Sequence, residues 1–387
     1  MILTKNIVFK KYKIGKSKKK IKILLLNLLK ENNQILFSLS KYYKNSYNKK
    51  KINKLRKYST IVLIGMGGSI LGAKAIYNFL KNKIKKNFFF IDGFDYYKIK
   101  DIFKKKKLNL IISKSGNTLE TIVNSNILIN NKNKNIFITE KKESYIRLLA
   151  KELKSEIIDH NNYIGGRYSV LSEVGMLPAE LMGLHVNKFR KLNHLIKSKT
   201  FTNSLIENVS SILNFTRNKK SNSIILNYDE KSSDLFYWYQ QLVAESLGKK
   251  SKGILPIIST MPKDNHSLMQ FYLDGIKTNF FTFFFVNENS SIKINNNKLL
   301  KSHLYLKDKN LTGILKAQFI ATQDVFKRKK IPFRSFVVQK RNEESLGELF
   351  TFFILETILL GKALKIDPYD QPSVELIKMD TKKKLIN

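Results

Sequence analysis

Two stretches of this sequence combine glycines and hydroxyls in a way that suits them to hold an anion. The first is Ile64-Gly65-Met66-Gly67-Gly68-Ser69-Ile70-Leu71-Gly72. Glycine lets backbone N–H groups approach a ligand closely, and a helix opening there would turn the positive end of its dipole towards negative charge. The second, Ser113-Lys114-Ser115-Gly116-Asn117-Thr118-Leu119-Glu120-Thr121, follows the apolar run Leu108 to Ile112. Hydroxyls at 113, 115, 118 and 121 can donate to one phosphate group beside Lys114. Each stretch has a blander alternative. The Ser/Thr group resembles an ordinary N-cap cluster. The glycine loop invites comparison with a dinucleotide fingerprint, with Asp92 after the next strand as the ribose carboxylate, but the third glycine of G-x-G-x-x-G would fall on Ile70. Two such loops at the carboxyl ends of neighbouring strands look together like a cradle for a phosphate monoester, with Gly68, Ser69, Ser113, Lys114, Ser115 and Thr118 as its candidate ligands.

Four further segments extend the pattern. They are Gly165-Gly166-Arg167-Tyr168-Ser169-Val170-Leu171-Ser172 leading to Val174-Gly175-Met176-Leu177-Pro178; Gln241-Leu242-Val243-Ala244-Glu245-Ser246-Leu247-Gly248-Lys249; Asp264-Asn265-His266-Ser267; and Asp367-Pro368-Tyr369-Asp370-Gln371-Pro372-Ser373-Val374-Glu375-Leu376-Ile377-Lys378. With the two loops they resemble, in order, the signature segments of the glucose-6-phosphate isomerase family, from about Ile61 to Lys378. Ala73 stands where that family usually has Pro, Tyr168 and Tyr369 where it has Phe, and Ser373 where Gly is common. These are packing or turn positions. The chain is also shorter at both ends than the animal-type members.

The resemblance implies interconversion of glucose 6-phosphate and fructose 6-phosphate through a cis-enediol. Moving the carbonyl from C1 to C2 takes a weakly acidic proton from one carbon and returns it to the next, which one carboxylate can do. Glu245 matches the family's base, in the apolar setting Leu242-Val243-Ala244 and one helical turn after Gln241. Arg167 would face the charge that develops on the enediolate, since a guanidinium keeps its proton. His266 and Lys378 match the pair that opens the cyclic sugar, while Gly166, Gln241 and Gln371 would contact or orient the substrate. The other histidines, His160, His185, His194 and His303, read as structural or exposed. No segment has metal-ligand spacing, so no metal and no organic cofactor is expected. The family likeness further implies a homodimer with a shared active site, His266 serving the partner subunit's base. A non-catalytic sugar-phosphate sensor would have no use for Glu245, His266 and Lys378 together. An isomerase that also accepts mannose 6-phosphate stays open.

Positioning these residues requires an α/β chain. Apolar runs at Thr60–Ile64, Phe88–Ile91, Leu108–Ile112 and Asn135–Thr139 read as strands, as do Ser223–Asn227, Asn279–Val286 and Pro332–Val338, with helical stretches between them. Two mostly parallel sheets fit two α/β/α sandwich domains, of the sugar isomerase type by resemblance. The expected division is an N-terminal arm with helices over 1–50, a first domain over 51–190 and a second over 191–387, joined by a polar, lysine-rich helical region around Val186–Lys220. The Lys/Asn runs at Lys16–Lys20, Asn48–Lys54 and Lys104–Lys107 read as solvated faces and turns.

Composition narrows the classes of function. The 387 residues include no Cys, which excludes disulfides, zinc thiolates and cysteine nucleophiles. The longest apolar stretch, Leu349–Leu360, is interrupted by Glu356, and residues 1–20 lack the apolar core of an export signal; a cytoplasmic protein with no membrane contact is expected. The net charge of +41 comes from 71 basic residues of which eight are Arg. Bidentate reading of guanine favours Arg, so a specific nucleic-acid partner is not expected. Lys, Asn, Ile, Phe and Tyr share A/T-rich codons, and a biased gene would scatter lysine over the whole surface. The resulting field favours small anionic substrates.

Overall fold

The computed structural model describes residues 2–12, 18–103, 106–130, 133–288 and 291–386. Among the described residues eleven strands are numbered in chain order: β1 Ile2–Thr4, β2 Ile7–Lys10, β3 Thr60–Gly65, β4 Asn87–Ile91, β5 Leu108–Ile112, β6 Lys134–Glu140, β7 Glu156–His160, β8 Asn222–Asn227, β9 Leu255–Thr260, β10 Asn279–Val286 and β11 Phe333–Val338. One sheet has the order β4-β3-β5-β6-β7, parallel throughout. The other has the order β1-β2-β11-β10-β8-β9, in which β8 to β11 are parallel. β2 runs antiparallel to β11, and β1 to β2. The opening ten residues, expected within an N-terminal arm, thus complete the second sheet.

Near-continuous apolar strands fit this arrangement because helices cover both faces of a parallel sheet. Alternate residues part to opposite sides. Ile61 and Leu63 enter the largest core, whereas Val62 and Ile64 enter a smaller one; Phe280 and Phe284 join the largest core while Phe281, Phe283 and Phe285 face a third. The largest core draws on both sheets. Through it runs the helix Glu343–Leu364, which contains the apolar run Leu349–Leu360 and is buried along nearly its whole length. Glu356 inside it receives donors from Arg334, Asn208 and the Tyr239 hydroxyl, the last at 2.7 Å. A carboxylate so buried persists because its partner charge and hydrogen bonds are buried with it, and removing either partner of such a pair costs about 3–5 kcal/mol. No described helix is long and apolar enough to cross a membrane.

Two expectations change here. The Val186–Lys220 region, expected to be polar and lysine-rich, carries a buried apolar face. Its main helix, Lys199–Arg217, buries Phe201, Leu205, Val209 and Ile212 in the shared core, with its one lysine, Lys199, at its first position. Lys107, read as solvated, is fully buried, and its ammonium donates to the Ile102 carbonyl at 3.1 Å. Asn48–Lys54 behaves as expected: Asn48 caps the helix Lys49–Leu55, which turns its lysines outward and buries Ile52 and Leu55. Lys16, Ser17, Lys104 and Lys105 lie outside the described residues.

Candidate active site

The site forms where the carboxyl ends of the first sheet meet the helix Ser233–Leu247. After β3 the chain makes one 3-10 turn, Gly67–Ser69, and enters the helix Leu71–Phe79. Gly68 is dictated by contact: a Cβ there would fall 2.1 Å from the Gly166 carbonyl carbon. Gly67-Gly68 and Gly165-Gly166-Arg167 therefore meet backbone to backbone, which no side chain would allow. Ile70 is buried, and Asp92 is ion-paired with Lys74 at 2.8 Å. The carboxylate that a dinucleotide site would require is thus committed elsewhere.

After β5 comes the second loop. Ser113 is buried; its hydroxyl accepts from the Gly116 N–H at 3.1 Å and lies 3.1 Å from the Thr118 hydroxyl, bracing the turn. Thr118 is the N-cap of the helix Leu119–Leu128 by backbone geometry, yet its side chain makes no capping bond. The exposed Ser115 hydroxyl makes only a 3.4 Å contact with the Asn117 N–H. Thr121 Oγ1 is buried with no hydrogen-bond partner among the described residues. A mere capping cluster would spend its hydroxyls on the helix N–H groups; here the Thr118 side chain makes no capping bond and Thr121 Oγ1 has no partner among the described residues. Lys114 is ion-paired with Glu140 at 3.2 Å.

Arg167 is the hub of the site. It is buried, and its guanidinium donates to Ser246 Oγ at 2.7 Å, Glu245 Oε1 at 3.1 Å, the Pro368 and Asp370 carbonyls at 2.9 and 3.0 Å, and Gln371 Oε1. One side chain thereby joins the GGR segment, the helix Ser233–Leu247 and the C-terminal turn. Glu245 Oε2 accepts from Gln241 Nε2 at 3.0 Å, so both carboxylate oxygens are oriented while the side chain stays 21% exposed. Gln241 also lines a cleft of about 430 Å³ with Leu71, Lys74, Tyr237 and Ala244. A larger cavity, about 680 Å³, lies at the amino ends of β8, β10 and β11 and is lined by none of the candidate residues.

The two tyrosines that replace phenylalanine do more than fill space. The Tyr168 hydroxyl donates to the Pro368 carbonyl at 2.9 Å and lies 2.8 Å from Ser246 Oγ; burial pushes its pKa up to about 12, so it stays a neutral donor. The Tyr369 hydroxyl accepts from Asn33 Nδ2 at 2.9 Å. Lys249 Nζ clamps the same turn through the Asp367 and Asp370 carbonyls, each at 2.6 Å, and the Asp370 carboxylate. Ser246 and Asp370 were not singled out from sequence, although both lie inside the quoted segments.

His266 and Lys378 stand apart from this convergence. His266 is exposed on a 3-10 turn after β9, and its ring makes no hydrogen bond among the described residues. Asp264 fixes that turn, accepting from Ser259 Oγ and the Thr260 N–H at 2.8 Å each and from Ser267 Oγ at 3.0 Å. Lys378 is exposed on the helix Val374–Ile386, which leaves from the turn that Arg167 holds. The single chain does not show either residue against Glu245.

Two mostly parallel sheets under helices, with glycine- and hydroxyl-bearing loops after β3 and β5 and an Arg–Glu pair beside the first of them, make a sugar isomerase fold. A structure from Thermus thermophilus, described as that of a hypothetical protein, superposes with a TM-score of 0.83 at 24% identity, covering 96% of this chain and 95% of that one. A glucose-6-phosphate isomerase from Chlamydia trachomatis superposes with a TM-score of 0.70 at 20% identity, covering 91% and 73%. In sequence, the phosphoglucose isomerase family profile matches residues 15–261. A glucose-6-phosphate isomerase of Methanocaldococcus jannaschii is 32% identical over 351 residues, 85% of this chain and 84% of that protein. The chain belongs to the phosphoglucose isomerase family.

Proposed function

We propose that the reaction of this aldose–ketose isomerase, which interconverts glucose 6-phosphate and fructose 6-phosphate in glycolysis and gluconeogenesis, runs on two side chains. Glu245 is the base that carries the proton between C1 and C2, and Arg167 balances the enediolate charge. The observation that carries this reading is the Arg167–Glu245 pair, 3.1 Å apart, beside the Gly67–Ser69 loop. In the open-chain aldose, Glu245 takes the C2 proton, the electron pair forms the C1–C2 double bond, and O1 gains negative charge. The O2 proton then passes to O1, the O2–C2 carbonyl forms, and Glu245 returns its proton to C1, which completes the transfer. Arg167 serves that charge best because its geometry is set by five acceptors before substrate arrives, so little reorganisation is needed as charge develops.

Gly68, Ser69, Ser115 and Thr118 hold the phosphate, with Ser113 and Lys114 shaping the loop around it. Gln371 and Gln241 orient the sugar, and Gly166 gives the close backbone approach. His266 and Lys378 open the ring. The exposed turn that carries His266 suits delivery of its ring into the site of a second subunit, which makes the enzyme a homodimer. A cytoplasmic location suits a phosphorylated substrate that does not cross membranes.

The test supplies fructose 6-phosphate and follows glucose 6-phosphate through a coupled dehydrogenase, with mannose 6-phosphate as comparison. Wild type should turn over the first substrate. Ser115→Ala and Thr118→Ala should each chiefly raise KM, by the equivalent of about 1.5–3 kcal/mol, because bonds to a phosphate that does not react act alike on ground and transition states. Unchanged affinity for a competitive sugar phosphate in both variants would show the loop to be only a helix cap.

A further inference from the structure

His160, read from sequence as structural or exposed, is the last residue of β7, and its side chain is buried. Nδ1 lies 2.8 Å from Glu173 Oε1 and Nε2 lies 3.0 Å from the Ile164 carbonyl. Both ring nitrogens face oxygen acceptors, so filling both takes an N–H on each. Glu173 is the first residue of the helix Glu173–Leu181, and its carboxylate also accepts from the Asn161 N–H at 3.1 Å and the Tyr43 hydroxyl at 2.9 Å. Burial would raise the Glu173 pKa, yet the hydrogen bond and charge of His160 hold it below the usual carboxylate range.

These contacts close a loop. Residues 160 and 173 meet at its base, Ile164 is held from inside, and Gly166-Arg167 lies within the enclosed segment, against Gly68 on one side and Glu245 on the other. The loop is otherwise a 3-10 turn, Gly166–Leu171, whose middle packs against Gly68 and the C-terminal turn, while the His160–Glu173 contact ties its entry to its exit.

We propose that His160, with Glu173, is a positioning residue for the isomerisation: the pair fixes where the loop presents Arg167 to the reacting oxygens. The inference rests on the role given to Arg167 above. It does not make His160 a catalytic residue, because both ring nitrogens are spent on Glu173 and Ile164.

The test compares His160→Gln, Glu173→Gln, the double variant and Arg167→Lys in kcat, KM and the stoichiometry and affinity of sorbitol 6-phosphate, a non-reacting sugar phosphate. Glutamine has donors at only one end and cannot serve both acceptors. A displacement of Arg167 of about an ångström should lower kcat at least tenfold, and up to about a hundredfold. Sorbitol 6-phosphate, held mainly by the serine and threonine loop, should bind within a few-fold of wild type at one site per chain. A purely structural role would instead lower the number of binding sites and the melting temperature together. The double variant leaves no unpaired buried carboxylate, so it keeps the test open if either single variant fails to fold; it should fold, bind and remain slow. Near-normal kcat in the double variant, with Arg167→Lys impaired, would overturn the clamp alone. Near-normal kcat in Arg167→Lys would overturn the clamp and the role of Arg167 together.

Discussion

Replacing Glu245 by glutamine should lower kcat by at least ~10²-fold while sugar-phosphate binding survives, because the substitution keeps the shape and removes the proton acceptor. The surroundings tolerate the change. Arg167 Nη1 can still donate to the amide oxygen, and Gln241, whose Oε1 has no partner among the described residues, can turn its amide to accept from the new NH₂ group. The protein should therefore fold, and steady-state kinetics with calorimetric binding of a sugar phosphate separates the two effects. A folded variant with near-normal kcat would remove Glu245 from the mechanism.

The second large effect concerns assembly. Glu245→Ala and His266→Ala should each be nearly inactive alone. If His266 of one subunit completes the site built on the other's Glu245, mixed dimers carry both lesions in one site and none in the other. With random pairing half the dimers are mixed and one of their two sites works, so co-refolding should restore about a quarter of wild-type activity, on the closed two-fold symmetry usual for homodimers. Were both residues supplied by one chain, every site would keep a lesion and mixing would restore nothing. That outcome would leave the proton chemistry intact and discard the shared site.

Strand runs built of Ile, Val, Leu and Phe were plain in the sequence because central parallel strands are buried on both faces: Ile61 to Ile64 in β3 and Phe280 to Phe285 in β10 have no competing reading. β1, β7 and β9 were not legible, and all three are edge strands. Glu156, Asp159 and His160 break the apolar run of β7, and Pro256 in β9 is tolerated because an edge strand need not fill every ladder bond. β2, only four residues long, is pinned by its pairing with β11, a contact more than three hundred residues away in sequence. Within the site, the loops and the Glu245 helix carried local signals. What no local pattern carries is the convergence on Arg167 of Ser246, Gln371 and the Pro368 and Asp370 carbonyls, or the meeting of His160 with Glu173. These contacts depend on how separate turns pack. His160 reads as an ordinary histidine until the turn after β7 folds both of its nitrogens against acceptors.

The most direct measurement follows the hydrogen itself. Fructose 6-phosphate converted by the wild-type chain in D₂O, with the product observed by NMR, should yield glucose 6-phosphate carrying deuterium at C2. A proton lodged on Glu245, whose side chain is 21% exposed, can exchange with solvent in a fraction of turnovers before it returns to carbon. Product with only protium at C2, together with no deuterium entering C1 of fructose 6-phosphate left at equilibrium for many turnovers, would mean that hydrogen passes directly from carbon to carbon, and would contradict the account of a single carboxylate shuttling the proton across an enediol.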